Sequence, residues 1–120
     1  SACGGSSPCL AHRNDLHSLD LNTMAWAEVH VNAEQPRPYA RKGHSATLIN
    51  GSRMVVFGGS AWVPDSNADN SYGYTTRHVN DLWEIDLSGA TGYTWRAVHS
   101  VGDAPSPREG HVACLVGGRY

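Results

Sequence analysis

The chain of 120 residues predicts an all-β fold of short antiparallel strands built from a repeated unit. Three observations carry the prediction. Asn14-Asp15-Leu16 recurs as Asn80-Asp81-Leu82, and each opens the same alternation: Leu16-His17-Ser18-Leu19-Asp20-Leu21 and Leu82-Trp83-Glu84-Ile85-Asp86-Leu87. Recurrence of a motif in order is the signature of repeat architecture. Apolar and polar residues alternate over short windows, whereas no window of ten or more residues keeps a helical stripe. The 13 Gly and 6 Pro divide the chain into short elements, and 40% hydrophobic residues suffice for a core.

The elements follow in order. Gly4-Gly5, after Ser1-Ala2-Cys3, corresponds to Gly58-Gly59, after the apolar run Met54-Val55-Val56-Phe57. Each repeat reaches a Trp: Trp26-Ala27-Glu28-Val29-His30 in one and Trp95-Arg96-Ala97-Val98-His99 in the other. A Pro-containing segment comes next, Pro36-Arg37-Pro38 or Pro105-Ser106-Pro107-Arg108. Each repeat then restarts at Arg41-Lys42-Gly43-His44 or Arg108-Glu109-Gly110-His111, with the histidines 67 positions apart. Strands are expected over 44–49, 53–57, 81–86 and 94–100. The first two are joined by a two-residue turn at Asn50-Gly51, where positive φ is needed. Gly117-Gly118 lies where Asn50-Gly51 does and reads as the same turn.

Four short strands per repeat describe one antiparallel propeller blade. Residues 1–31 then give the last three strands of one blade, and 44–100 give a complete one. Residues 111–120 begin a further blade, with inter-blade loops over 32–43 and 101–110. The order Arg-x-Gly-His, strand, turn, strand, Gly-Gly, loop, Asn-Asp-Leu, strand, Trp resembles the kelch repeat. The resemblance assigns its glycine doublet to Gly4-Gly5 and Gly58-Gly59, its aspartate to Asp15 and Asp81, and its tryptophan to Trp26 and Trp95. The complete repeat departs in length, 67 residues against ~50 for kelch repeats. Most of the excess lies in the 20 residues between Gly59 and Asn80, where 8 separate Gly5 from Asn14. Neither repeat carries the family's aromatic six residues before the Trp. A propeller closes with ~4–8 blades, so the expectation is that further blades on the same longer chain complete the ring.

The repeated residues are expected to be structural. Gly58 and Gly59 should allow backbone that a Cβ forbids at the exit of the second strand. Val55 and Phe57 should face the inter-blade core, and Trp83 and Trp95 should fill gaps between blades. His44 and His111 should serve an internal hydrogen bond, and Asp15 and Asp81 should bond turn backbone. The candidate binding residues lie in the loops joining strands two to three and four to one, which emerge on one face. They are Trp62, Tyr72, Tyr74, Arg77 and His78 in the long 60–80 loop, Arg37, Tyr39 and Arg41 before the complete blade, and Arg108 after it. Aromatics and arginines gathered on one face have the composition of interaction hot spots.

Composition excludes several classes. A net charge of -2 argues against a nucleic-acid partner. The apolar runs 54–57 and 112–116 fall far short of the ~20 residues of a membrane helix. Three Cys without a C-x-x-C pair point to free thiols in the cytoplasm, with a cytoskeletal or nuclear location as alternatives. The seven His show no ligand spacing, so no metal, cofactor or catalytic residue is expected. The resemblance implies a protein-binding scaffold, in a cytoskeletal complex or a ubiquitin-ligase adaptor. Its alternative is a metal-dependent enzyme such as a copper sugar oxidase, with His and Tyr ligands converging from separate loops.

Overall fold

The computed structural model describes residues 12–31, 35–89 and 92–118. Gly4 and Gly5 therefore lie outside the described residues. Seven strands occur among those described: β1 Leu16–Asp20, β2 Ala25–Val29, β3 Arg41–Lys42, β4 Ser45–Ile49, β5 Arg53–Pro64, β6 Tyr74–Asp86 and β7 Thr94–Ala97. No helix in this part of the chain is long and apolar enough to cross a membrane.

Strands β4, β5, β6 and β7 form a four-stranded antiparallel blade in that order, and β3 lies beside the outer part of β5. Strands β1 and β2 pair as a separate hairpin, Leu16 opposite Val29 and Asp20 opposite Ala25. They are the sequence equivalents of β6 and β7. Their turn is held by Asp20, whose carboxylate accepts the Asn22 and Thr23 amides at 2.8 and 3.3 Å. The turn from β4 to β5 is one residue longer than a two-residue hairpin. Ile49 pairs Arg53, leaving Asn50, Gly51 and Ser52 between them, with φ of 51° at Asn50 and 69° at Gly51.

Cross-strand partners share a face of the sheet. Val56 stands between Ala46 and Trp83, and Ile85 between Met54 and Trp95. These residues make one face, and Val55, Phe57, Leu82 and Glu84 make the other. The core lies on the first face: Val56, Ile85 and Trp95 are buried, with Leu16 and Val31 of the preceding repeat packed against them. Val55 and Phe57 lie on the second face, toward the repeat that follows. Both faces of the blade are apolar, so alternation alone does not say which one meets the preceding repeat. Val55 is buried on the opposite side, and Phe57 takes the edge of the His111 ring at 5.3 Å.

Gly58-Gly59 does not end the second strand. The ladder shifts register between Phe57 and Gly59, and β5 continues to Pro64 opposite a β6 that begins at Tyr74. The bulge is in β6, where Asn80 and Asp81 stand opposite the single residue Gly58 inside one long hairpin. Both glycines have positive φ, 67° and 100°. A Cβ on Gly59 would lie 2.7 Å from the Lys42 carbonyl oxygen and 2.9 Å from His44 Cβ, and one on Gly58 would lie 3.0 Å from the Arg108 carbonyl oxygen. Each glycine thus admits a different neighbour, the start of its own blade or the start of the next. Gly59→Ala combines strained φ with a backbone clash and should destabilise by about 2 kcal/mol or more. Equilibrium urea unfolding measures this; an unchanged midpoint would contradict the packing described.

Candidate functional site

The junction below the site is built around Arg41. Its guanidinium meets Asp81 end-on, Nη1 to Oδ1 at 2.7 Å and Nη2 to Oδ2 at 2.8 Å. The same Nη1 donates to the Gly58 carbonyl at 3.0 Å, and Nε donates to the Tyr39 carbonyl at 3.1 Å. The Arg41 side chain is only 3% exposed, whereas Asp81 keeps 36%. Trp83 Nε1 also donates to Asp81, at 2.8 Å. Burial pushes the Asp81 carboxyl up, but the Arg41 hydrogen bonds and charge, with the Trp83 N–H, bring it below the usual carboxylate value. Two expectations are corrected here. Arg41 is committed inside the blade rather than offered to a ligand, and Asp81 binds a guanidinium rather than turn backbone. Asp15 likewise bonds a side chain, His17 Nε2 at 2.8 Å.

The histidines of the repeat also sit at this junction. His111 Nε2 lies 3.0 Å from Ser45 Oγ, across from its own repeat to the complete blade. His44 packs on Gly59. Burial, followed by the charges of Arg41 and His111, holds the His44 imidazole below its ordinary pKa.

Two tethers then fix the inter-blade loops, and each occurs twice. The Arg41 amide donates to the Arg13 carbonyl at 3.1 Å, and the Arg108 amide to the Val79 carbonyl at 3.2 Å. Asn14 Nδ2 donates to the Pro38 carbonyl at 3.4 Å, and Asn80 Nδ2 to the Pro105 carbonyl at 2.9 Å. The asparagine of each Asn-Asp-Leu thereby holds the proline segment that follows its repeat.

Above these loops rises the outer part of the β5–β6 hairpin. Expected as a loop over 60–80, it is a two-stranded ladder closed by a short tip at residues 65–73. Trp62 and Tyr74 stack across it, with ring centroids 5.9 Å apart and planes 14° from parallel. Asp65 caps the Asn67 amide at 2.9 Å and also faces Arg77 at 3.7 Å. Asn70 accepts from the Tyr72 amide at 3.0 Å and donates to the Tyr74 carbonyl at 2.8 Å. The tip therefore has a defined shape. It leaves Tyr72 73% exposed.

The other predicted site residues lie nearby. His78 Nε2 is 3.1 Å from Glu109 Oε1, which links the hairpin to the 102–110 segment. Arg37 and Tyr39 are exposed on the 35–40 segment, flanking the buried Pro38. Arg108 is exposed and folds back on Ser106, Nε to the carbonyl at 3.0 Å and Nη2 to Oγ at 3.0 Å. Trp62 and Tyr74 are half-buried against each other, so Tyr72 is the aromatic of the hairpin most open to a partner. No group of three or more His, Cys, Asp or Glu among the described residues is placed to hold a metal ion.

A blade of four antiparallel strands, doubly tethered loops and a raised hairpin define a β-propeller built as an interaction scaffold. The model for the KLHDC2/KLHL20/DRC7 Kelch-repeats domain matches residues 2–120, and the chain belongs to the kelch-repeat family. Among curated proteins it is 32% identical to acyl-CoA-binding domain-containing protein 5 of Arabidopsis thaliana, over 95% of this chain and 15% of that protein. Host cell factor 2 of Homo sapiens is 30% identical over 93% of this chain and 14% of its own length. Kelch domain-containing protein 3 of Homo sapiens is 27% identical over 87% of this chain and 38% of its own length. The chain thus spans well under half the length of these relatives. No solved structure matches it.

Proposed function

We propose that this chain binds a peptide or protein surface through the face formed by the hairpin tip and the 35–40 and 102–110 segments. In this reading it acts by recognition rather than catalysis, as part of a larger propeller in a larger assembly, such as a cytoskeletal complex or a ubiquitin-ligase adaptor. The observation that carries the reading is the raised hairpin. It is stiffened by the Trp62–Tyr74 stack and two side-chain caps, yet its most exposed aromatic, Tyr72, contacts no other ring among the described residues. An exposed tyrosine on a capped tip, with Arg77 on the same hairpin and Arg37 exposed on the 35–40 segment, suits an anchor with charge for acidic groups.

The test removes the tip alone. Replacing residues 66–72 by a two-residue turn keeps the Trp62–Tyr74 ladder and should leave the circular dichroism spectrum unchanged, since loop length contributes little to stability. Partner recovery from cell extract should fall several-fold. Equal recovery by parent and shortened protein would overturn the assignment of this face.

A further inference from the structure

The outer part of β6 keeps one edge open. β7 pairs with β6 from Trp83 to Asp86, and the Val98 amide adds a last bond to the Leu82 carbonyl at 2.8 Å. From Tyr74 to Val79 the described ladder lies on the β5 side only. Pairing decides which main-chain groups turn outward. The Trp62 amide donates to the Ala40 carbonyl at 2.8 Å, so the polar groups of Trp62 face β3. Thr76, paired with Trp62, therefore turns its N–H and C=O to the open side, and Tyr74 and His78 do the same. Two bonds agree. The Asp65 amide reaches inward to the Gly73 carbonyl at 2.8 Å, and Asn70 Nδ2 takes the Tyr74 carbonyl at 2.8 Å.

No main-chain partner among the described residues meets the amides and carbonyls of Thr76 and His78. Repeats stack face to face, as the first one does on the face of Ile85 and Trp95. The open edge runs on from β7, the edge strand of the sheet, and lies on neither face, so a neighbouring blade leaves it open. Such a row of donors and acceptors is a template for one more strand. The side chains along it define that strand. Arg77, 66% exposed and 3.7 Å from the Asp65 carboxylate, stands on one face with Thr75. Tyr74, Thr76 and His78 stand on the other. There Tyr74 is stacked on Trp62, and His78 is 3.1 Å from Glu109.

Resting on the reading that this arm binds a peptide, we propose that the partner's segment adds to β6 as a further strand beside Tyr74 to His78. Main-chain bonds to Thr76 and His78 supply affinity, and the side chains select the sequence. An acidic residue on one face meets Arg77, and β-branched or aromatic residues on the other pack beside Tyr74 and Thr76. Tyr72, next to the strand and 73% exposed, continues the contact at the tip.

Short blocked peptides of alternating valine and glutamate, or of alternating valine and lysine, test this on the full chain. The glutamate peptide should slow hydrogen exchange of the Thr76 and His78 amides about tenfold or more. The lysine peptide should bind about tenfold more weakly, and Arg77→Glu should reverse that order. Thr76→Pro removes one outward donor, a change that an edge position tolerates. It should abolish binding with the circular dichroism spectrum unchanged; the exchange readout on the parent needs no variant. A glutamate peptide that does not bind, or binds without protecting these amides, would overturn strand addition. So would equal binding of the two peptides, or a Thr76→Pro variant that binds like the parent. If replacing the tip lowers partner recovery while Thr76→Pro does not, the binding face stands and the added strand alone falls. A dimer that forms without peptide and dissolves on Thr76→Pro would place a second copy on this edge, and would equally overturn the proposal.

Discussion

Trp95→Ala should destabilise the chain by ~3–5 kcal/mol, the range for removing a large aromatic from a core. Trp95 is the largest side chain in the buried cluster, pairs with Ile85 across the β6–β7 ladder, and is touched from the preceding repeat by Leu16. Its loss opens a cavity at the seam between two repeats, where the blade cannot collapse inward from one side only. Urea unfolding followed by far-ultraviolet circular dichroism reports the change. Tyr72→Ala, on the exposed tip, serves as the reference and should shift stability by no more than about 0.5 kcal/mol. If the two variants unfold at the same urea concentration, Trp95 does not hold the seam.

Arg41→Ala should be nearly as damaging, at about 3 kcal/mol. Breaking a buried pair leaves a carboxylate without its counter-ion; the figure is taken at the low end because Asp81 keeps a third of its surface in water. The Gly58 and Tyr39 carbonyls lose a donor as well. The pair also fixes a pH dependence. The folded Asp81 carboxyl lies below its ordinary value, so its stabilisation is complete above the unfolded pKa of ~3.9 and is lost as pH falls through the folded one. His44 adds an earlier step. Below about pH 6.5 the unfolded chain protonates this residue while the folded chain resists, so stability declines there too. Asp81→Asn should shrink the lower step, which Asp15 and Asp86 share, and His44→Gln should remove the upper one. Unfolding midpoints measured from pH 7 to pH 3 show whether the steps follow these residues.

The blade is legible in the sequence because its signals are local. Asn50-Gly51 marks a hairpin, Met54 to Phe57 marks a strand, and the alternation after each Asn-Asp-Leu marks another. What escapes depends on residues distant in the chain. Arg41 and Asp81 lie 40 positions apart, and nothing near either names the other. Their shared signal is recurrence: Arg108 and Asp15 repeat the same residue types at the same points. The outer ladder escapes because Ser60, Pro64 and the Asp- and Asn-rich 65–70 stretch read as loop, while the pairing is held by Trp62 and Tyr74 across the strands. For compartment, the cysteine count meets a contrary sign, since Asn50-Gly51-Ser52 spells an N-glycosylation triplet in the exposed turn.

The register shift at Gly58-Gly59 separates two ladders that share one hairpin. Below it, every pairing is set by the core on both faces of the blade. Above it, β3 still braces β5 at Ser60 and Ala61, and beyond Trp62 the described ladder is β5 with β6 alone. Residues can therefore be added or removed in cross-strand pairs at the top without turning Val56 or Ile85 away from the core. The complete repeat exceeds the first by twelve residues in this segment, an even number. The bulge acts as an insulating joint, so the outer arm can lengthen, shorten or change its tip while the blade beneath keeps its sequence constraints unchanged.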